Sequence, residues 1–308
     1  MTTMTTMLVT ALCFTSGCML STHASRPSPL GVARAQSVME DRLDRPGVVE
    51  LETVTSVDWE VPRSGLLNLD APRAKAAHLV DGPEPIKVFF HVLRHPQHGM
   101  FIVDSGMENK LRDEPAKAAV RGIVAKYMHR EKMVFHATLG DWLAAHPEPL
   151  RGVFLTHMHL DHVSGLPDAP PSTAIYVGPN ETRSRDSLNG FVAPNIDRAL
   201  AGKGPVNEWP YSVGSAGLPD GVVDIFGDGS VWAIATPGHT RGATAYLVQT
   251  PRGPVLLTGD SCHTRWGWDH DVEPGTFNTD TPGSKVSLAK LRALVARHPG
   301  IEVRLGHQ

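Results

Sequence analysis

The chain has 308 residues, 41% of them hydrophobic and 20% charged, a composition that suits one large globular unit and excludes a disordered or fibrous protein. A balance of 29 basic against 32 acidic residues leaves a net charge of -3, with no basic footprint for nucleic acid. Three cysteines cannot build a disulfide framework or a cysteine-rich zinc module, whereas 16 histidines supply the commonest metal ligand in quantity.

The apolar stretch from Met7 to Leu20 is short for a bilayer span and suits the core of an export signal, although no Lys or Arg precedes it. Residues 1–24 are therefore expected to be a signal peptide ending at Thr22-His23-Ala24, or a lipoprotein leader ending before Cys18, which would carry a lipid anchor. Either predicts an exported protein (periplasmic, secreted or lipid-anchored), the alternative being a disordered cytoplasmic leader. Residues 25–47, rich in Ser, Pro and Arg without periodicity, read as a tether, and the catalytic domain is expected over 48–308.

Val48 to Val61 alternates β-branched residues and predicts a strand. IKVFFHVLR and MFIVDSG, joined by His95-Pro96-Gln97-His98-Gly99, predict a hairpin closed by Asp104-Ser105-Gly106. Leu, Val and Ala recur at helical spacing from Asn109 to Met128 and from Val286 to His298. Between Pro179 and Gly229 turn-forming residues predominate, as in a functional lid or a surface insertion.

Four short apolar strands each end in a candidate ligand. The first leads into Thr156-His157-Met158-His159-Leu160-Asp161-His162, the others into His239, Asp260 and His307. In an extended or tightly turning backbone His157 and His159 project to one side and can converge on one cation. Asp161 and His162 fall at the next turn, where they can face a second one. Seven N and O donors at strand ends, where ligands collect in α/β folds, are the inventory of a two-metal site. The remaining histidines, among them His95 and His98, show no convergent partners in the sequence.

This set, with Asp104, resembles the metallo-β-lactamase superfamily over the chain from about Val48 onward. The resemblance implies an α/β fold, the four-layer αβ/βα sandwich, with metals at one edge of the two sheets. It implies that His157, His159 and His239 bind the first metal, that Asp161, His162 and His307 bind the second, and that Asp260 bridges. Asp104 would orient a ligand histidine. Two divalent ions, Zn²⁺ by default for such donors, would supply a metal-bridging hydroxide at neutral pH, with Asp161 and Asp260 as catalytic carboxylates.

Aspartate at 260 argues against a β-lactam-cleaving enzyme. The early portion is similar to N-acyl-homoserine lactonases, so a small lactone or other ester is the expected substrate. A glyoxalase II-like thioesterase, a phosphotriesterase and a mononuclear-iron persulfide dioxygenase are the alternatives. In the quorum-quenching lactonases a tyrosine stands three residues after the bridging aspartate; here it is His263, either a catalytic proton or hydrogen-bond donor or a structural ring. Trp266 and Trp268 either line an apolar pocket or pack as loop residues, and Cys262 is expected to pack.

Overall fold

A computed structural model of the chain describes residues 18–186, 189–214 and 217–308. The long alternating segments pair as expected, Glu50–Pro62 with Pro83–His95 and Pro83–His95 with Gly99–Val103, all antiparallel. From Gly99–Val103 the sheet continues in parallel through Leu150–Phe154, Ala174–Val177 and Val206–Glu208. Among the described residues it is eight-stranded. A second sheet of six runs from Glu302–Arg304 through Gly253–Leu257, Thr244–Thr250, Val231–Ala235 and Val222–Asp224 to Val32–Arg34.

The central strands are apolar along their whole length because each feeds two cores at once. In Gly99–Val103, Phe101 and Val103 enter the layer between the sheets, while Met100 and Ile102 enter the layer beneath the helices. Thr244–Thr250 does the same on the other sheet, Tyr246 and Val248 facing inward and Ala245 and Leu247 outward. Helix Asn189–Ala199 contributes Ile196 to the outer cover of the first sheet. Helix Thr281–Arg297 covers the second through Leu288, Leu291 and Leu294, every third residue, and its start is capped by the Asp280 carboxylate accepting from Gly283 N–H. Helix, sheet, sheet, helix is the four-layer order expected.

Two expectations fail locally. The segment 109–128 is two short helices, Asn109–Asp113 and Ile123–Tyr127, because Pro115 cannot continue a helix and Gly122, at φ +67°, redirects the chain. Residues 25–47 are not a tether. Ser25–Pro27 lies parallel to Val206–Glu208 at the edge of the first sheet, and Val32–Arg34 lies antiparallel to Val222–Asp224 at the edge of the second. Helix Gln36–Glu40 then buries Met39 completely under the second sheet. Edge strands this short are held by backbone hydrogen bonds and leave their side chains outside, so they carry no hydrophobic alternation to read.

The expected leader is docked where it is described. Leu20 is 1% exposed in the core of the first outer layer. The Ser21 hydroxyl, the Thr22 amide and the Thr22 hydroxyl all donate to the Asp197 carboxylate. Most of the apolar stretch from Met7 lies outside the described residues. No helix among the described residues is long and apolar enough to cross a membrane.

Candidate metal centre

Every predicted ligand emerges from a strand end at one edge of the sandwich. Leu150–Phe154 delivers His157 and His159 just before the short helix Leu160–Val163, which carries Asp161 and His162. The ends of Val231–Ala235, Gly253–Leu257 and Glu302–Arg304 deliver His239, Asp260 and His307. Two glycines let these loops approach. Gly259 has φ +50°, and a Cβ there would lie 2.7 Å from Thr156 Cβ. Gly238 has φ +143°, and its Cβ would lie 2.1 Å from Ser284 N. Both conformations are open to glycine and costly for other residues.

The ligand atoms form two groups, His157, His159, His239 and Asp260, and Asp161, His162, Asp260 and His307, each within 4.8 Å of one another. Asp260 belongs to both. His239 Nε2 lies 3.1 Å from His157 Nε2 and 2.9 Å from His159 Nδ1. Tetrahedral nitrogens bound to one zinc sit about 3.3 Å apart, so the triangle is the right size for a cation at its centre.

The partners of the opposite ring nitrogens decide what these atoms are. His162 Nδ1–H donates to Asp104 Oδ2 at 2.8 Å and His307 Nδ1–H to the Lys87 carbonyl at 2.8 Å. His239 Nδ1–H donates to Asn278 Oδ1 at 3.1 Å, and that amide is oriented by its own donation to Pro274 O. His157 Nδ1–H faces the Thr156 oxygen, whose proton goes to Asp104. In the neutral form of each ring, the form that binds a cation, Nε2 carries a lone pair, and those lone pairs converge with carboxylate oxygens. Asp260 Oδ2 lies 3.6 Å from His157, 3.4 Å from His162 and 3.3 Å from His239. Asp260 Oδ1 and His162 Nε2 are buried without a hydrogen-bond partner. Converging acceptors without donors repel, and cations are what they fit.

The electrostatics divide the imidazoles by group. Burial pushes His157 and His159 well below the ordinary imidazole value, which keeps them neutral and ligand-competent. At His162 and His307 burial also acts downward but is outweighed by the facing carboxylates, Asp104, Asp260 and Asp161 at the first and Asp260 and Asp161 at the second, so both pKa values are raised and a bound cation would displace the extra proton. Burial would raise the Asp260 carboxyl, yet the facing His263, His307, His162 and His157 hold it well below the usual range, as an anion.

His263 is brought to the centre but behind it. Its Nε2 is 3.1 Å from Asp260 Oδ2, its ring is 1% exposed, and Nδ1–H donates to the Leu66 carbonyl at 2.9 Å. In the neutral ring Nε2 presents a lone pair, not a proton, so of the two expected readings this geometry favours the structural ring over the proton donor. Burial, opposed by Asp260, lowers its pKa in the same sense. Trp268 packs in the second outer core and Trp266 stacks on His270 at 4.1 Å, so neither forms a pocket wall. Cys262 is buried, its thiol pushed up to about 12 by burial.

His95 and His98 do find a partner, Asp228, across the two sheets. His95 Nδ1 accepts from the amides of Gln97 and His98 at 3.1 and 3.2 Å, so its proton is on Nε2 and donates to Asp228 Oδ2 at 2.9 Å. A cation there would have to displace that proton from a ring already accepting at its other nitrogen. The group is a hydrogen-bonded clamp. The sequence also gave no sign of Asn278 or of Glu181, which sit in irregular stretches far from the ligands in the chain.

Beside the metal groups opens a cavity of about 310 Å³. His159, Asp161, His239, Asp260 and His307 form its floor, and Trp59, Leu66, Ile86, Met128, Val192 and Phe277 are among its walls. No lysine or arginine among the described residues lines it.

Residues 86–307 match the metallo-beta-lactamase superfamily, and the chain belongs to that family. It is 29% identical over 262 residues to the N-acyl homoserine lactonase AttM of Rhizobium johnstonii, covering 82% of this chain and 94% of that one. To AttM of Azorhizobium caulinodans it is 30% identical over 230 residues, covering 72% and 82%. Among solved structures, AiiA of B. thuringiensis with N-decanoyl-L-homoserine bound superposes with a TM-score of 0.56 at 18% identity, over 85% of this chain and 94% of AiiA. The dizinc quorum-quenching lactonase AidC does so at 0.53 and 16%, over 90% and 91%. These superpositions show the shared sandwich fold.

Proposed function

We propose that the protein is a dinuclear metal-dependent hydrolase acting on lactones or other uncharged esters with an apolar acyl group. The observation that carries this is the cavity. Its floor is formed by members of both His/Asp groups, joined by Asp260, and its walls are mostly apolar, with Glu60, His129, Thr276 and Thr279 among them and no lysine or arginine. Such walls bury an acyl chain and offer no partner to a phosphomonoester, a nucleic acid or a carboxylate-bearing thiol carrier. The relatives named as N-acyl homoserine lactonases support the same substrate class.

When bound, two divalent cations supply a hydroxide nucleophile at neutral pH and polarise the carbonyl oxygen. The chain's own residues do the rest. Asp260 turns Oδ2 toward His157, His239 and His162 and Oδ1 toward His307, so its carboxylate serves both groups, and Asp161, with its side chain 16% exposed, is the carboxylate that faces the cavity. Trp59, Met128 and Val192 orient the acyl group and exclude water. Export remains part of this proposal, on the strength of the apolar segment from Met7 to Leu20.

The test is a hydrolysis screen of zinc-loaded protein against N-acyl homoserine lactones, aryl esters, thioesters, a phosphotriester and a β-lactam, with zinc and iron counted per chain. Lactone or ester turnover that Asp260→Ala and His157→Ala both abolish is expected. Unchanged turnover in either variant, or a single iron with no hydrolysis, would sink the proposal.

A further inference from the structure

Glu181 has no side-chain exposure to solvent, and no ion pair is recorded for it among the described residues, which makes it an expensive group to hold in a core. It stands on the short 3-10 turn Glu181–Arg183, outside every motif that marks the ligands. Its three partners are all donors. Oε1 accepts from Met158 N–H at 2.8 Å, and Oε2 accepts from the Thr240 hydroxyl and from Gly242 N–H, both at 2.8 Å. Met158 lies between His157 and His159, and Thr240 follows His239. One buried carboxylate thus ties together the two loops that carry all three imidazoles of the first group. The second group has a different support, Asp104, which fixes the His162 ring directly. Packing around Glu181 is tight: a Cβ on Gly242 would lie 2.9 Å from Glu181 Cβ and 2.8 Å from the Gly178 carbonyl oxygen.

We propose that Glu181 is the positioning residue of the first metal, setting the spacing of His157, His159 and His239 and hence the affinity of that group independently of the second. This rests on reading the three-histidine group as a metal site. Glutamine is the informative replacement, because its shape is conserved while its amide nitrogen must face a donor. If its oxygen stays with Thr240 and Gly242, its NH₂ meets Met158 N–H; turned over, it meets Gly242 N–H.

The experiment measures zinc affinity of the full chain by competition with a chromogenic chelator, in two single-site backgrounds. His307→Ala weakens the second group and reports the first; His239→Ala does the reverse. Glu181→Gln is expected to weaken zinc by about 10- to 100-fold in the His307→Ala background and by less than about threefold in the His239→Ala background, the size usual for a group that orients ligands. Equal weakening in both, or none in the first, would overturn the proposal. Thr240→Val removes one of the three donors without adding a misplaced one, and should shift the first site in the same direction by less. It carries the test should zinc-free Glu181→Gln fail to show a native circular-dichroism spectrum, and an unchanged first site in Thr240→Val then overturns the proposal. Wild-type protein that binds no zinc would remove the metal-site reading itself, a failure distinct from an affinity that ignores Glu181.

Discussion

Asp104→Asn changes what the His162 ring proton is offered. Asp104 has φ +58°, a conformation that asparagine tolerates better than most residues, so the exchange does not strain the backbone. In the native site Oδ1 accepts from Thr156 N–H at 2.8 Å, while Oδ2 accepts from His162 Nδ1–H at 2.8 Å and the Thr156 hydroxyl at 2.9 Å. An asparagine that keeps its oxygen on Thr156 N–H turns its NH₂ toward His162 Nδ1. That nitrogen must then accept, and the ring proton moves to Nε2, the atom that faces Asp161 and Asp260 at 3.6 and 3.4 Å. Turning the amide over restores the histidine bond but sets NH₂ against Thr156 N–H. Either way the second group loses a preorganised ligand, and the expected weakening of zinc is about 10- to 100-fold, roughly 1.4 to 2.7 kcal/mol. Chelator competition should show the weaker of two zinc equivalents displaced by that factor and the tighter one within about threefold, and melting of the zinc-free variant checks its fold. Two equivalents bound with wild-type affinities would refute the tautomer argument.

Other consequences are more easily stated. Zinc should stabilise the fold by mass action, by about 4 kcal/mol at a free concentration 1,000 times Kd, so a chelator should lower the melting temperature and added zinc restore it. Glu108 is buried, and burial lifts its carboxyl from 4.5 to about 7 against the opposing bond from Ala119 N–H. The folded state holds that proton more tightly than the unfolded one, so the contribution of Glu108 to stability is greatest below about pH 4.5 and falls as pH rises through 7, by at most about 3 kcal/mol. Glu108→Gln should therefore raise the melting temperature at pH 8 and much less at pH 5; equal shifts at both would exclude this origin. Val192→Trp, on the cavity wall, should raise KM for long-chain acyl lactones and leave short-chain ones within about twofold, and a uniform loss across chain lengths would place the acyl group elsewhere.

The ligands were legible because each lies just beyond a strand whose apolar run announces itself, so chain order alone located four strand ends and their chemistry. The sandwich was legible through the family resemblance those ligands carry, with which strands such as Gly99–Val103, apolar on both faces, agree. What could not be read is whatever depends on a partner distant in the chain. His263 could be either a proton donor or a structural ring in the sequence, and the contact that decides, with the Leu66 carbonyl, comes from 197 residues away. His95 and His98 looked partnerless because Asp228 comes from the other sheet, and Glu181 left no mark because two of its three donors are backbone amides, which every residue but proline possesses, and the third is a threonine hydroxyl 59 residues away. Pro115 and Gly122 were visible inside the 109–128 periodicity, and their power to break it outweighed the spacing of Leu, Val and Ala.

The N-terminal arm turns the two proposed processing sites into a stability question. A chain beginning at Cys18 keeps Leu20 in the first outer core and Ser21 and Thr22 on Asp197. A chain beginning at Ser25 loses all three, and Asp197 keeps none of those donors. Removing the burial of one leucine costs about 2 kcal/mol before the hydrogen bonds are counted, which in a domain of this size lowers the melting temperature by roughly 5 °C. The effect should also reach the cavity, because Asp197 stands on helix Asn189–Ala199, whose Val192 and Ile196 form part of its wall. Recombinant chains starting at residues 18 and 25 can be melted side by side and assayed on long- and short-chain lactones. A difference below about 1 °C would show that the docked arm contributes nothing. A clear drop would favour processing before Cys18, because cleavage after Ala24 would discard part of the folded core.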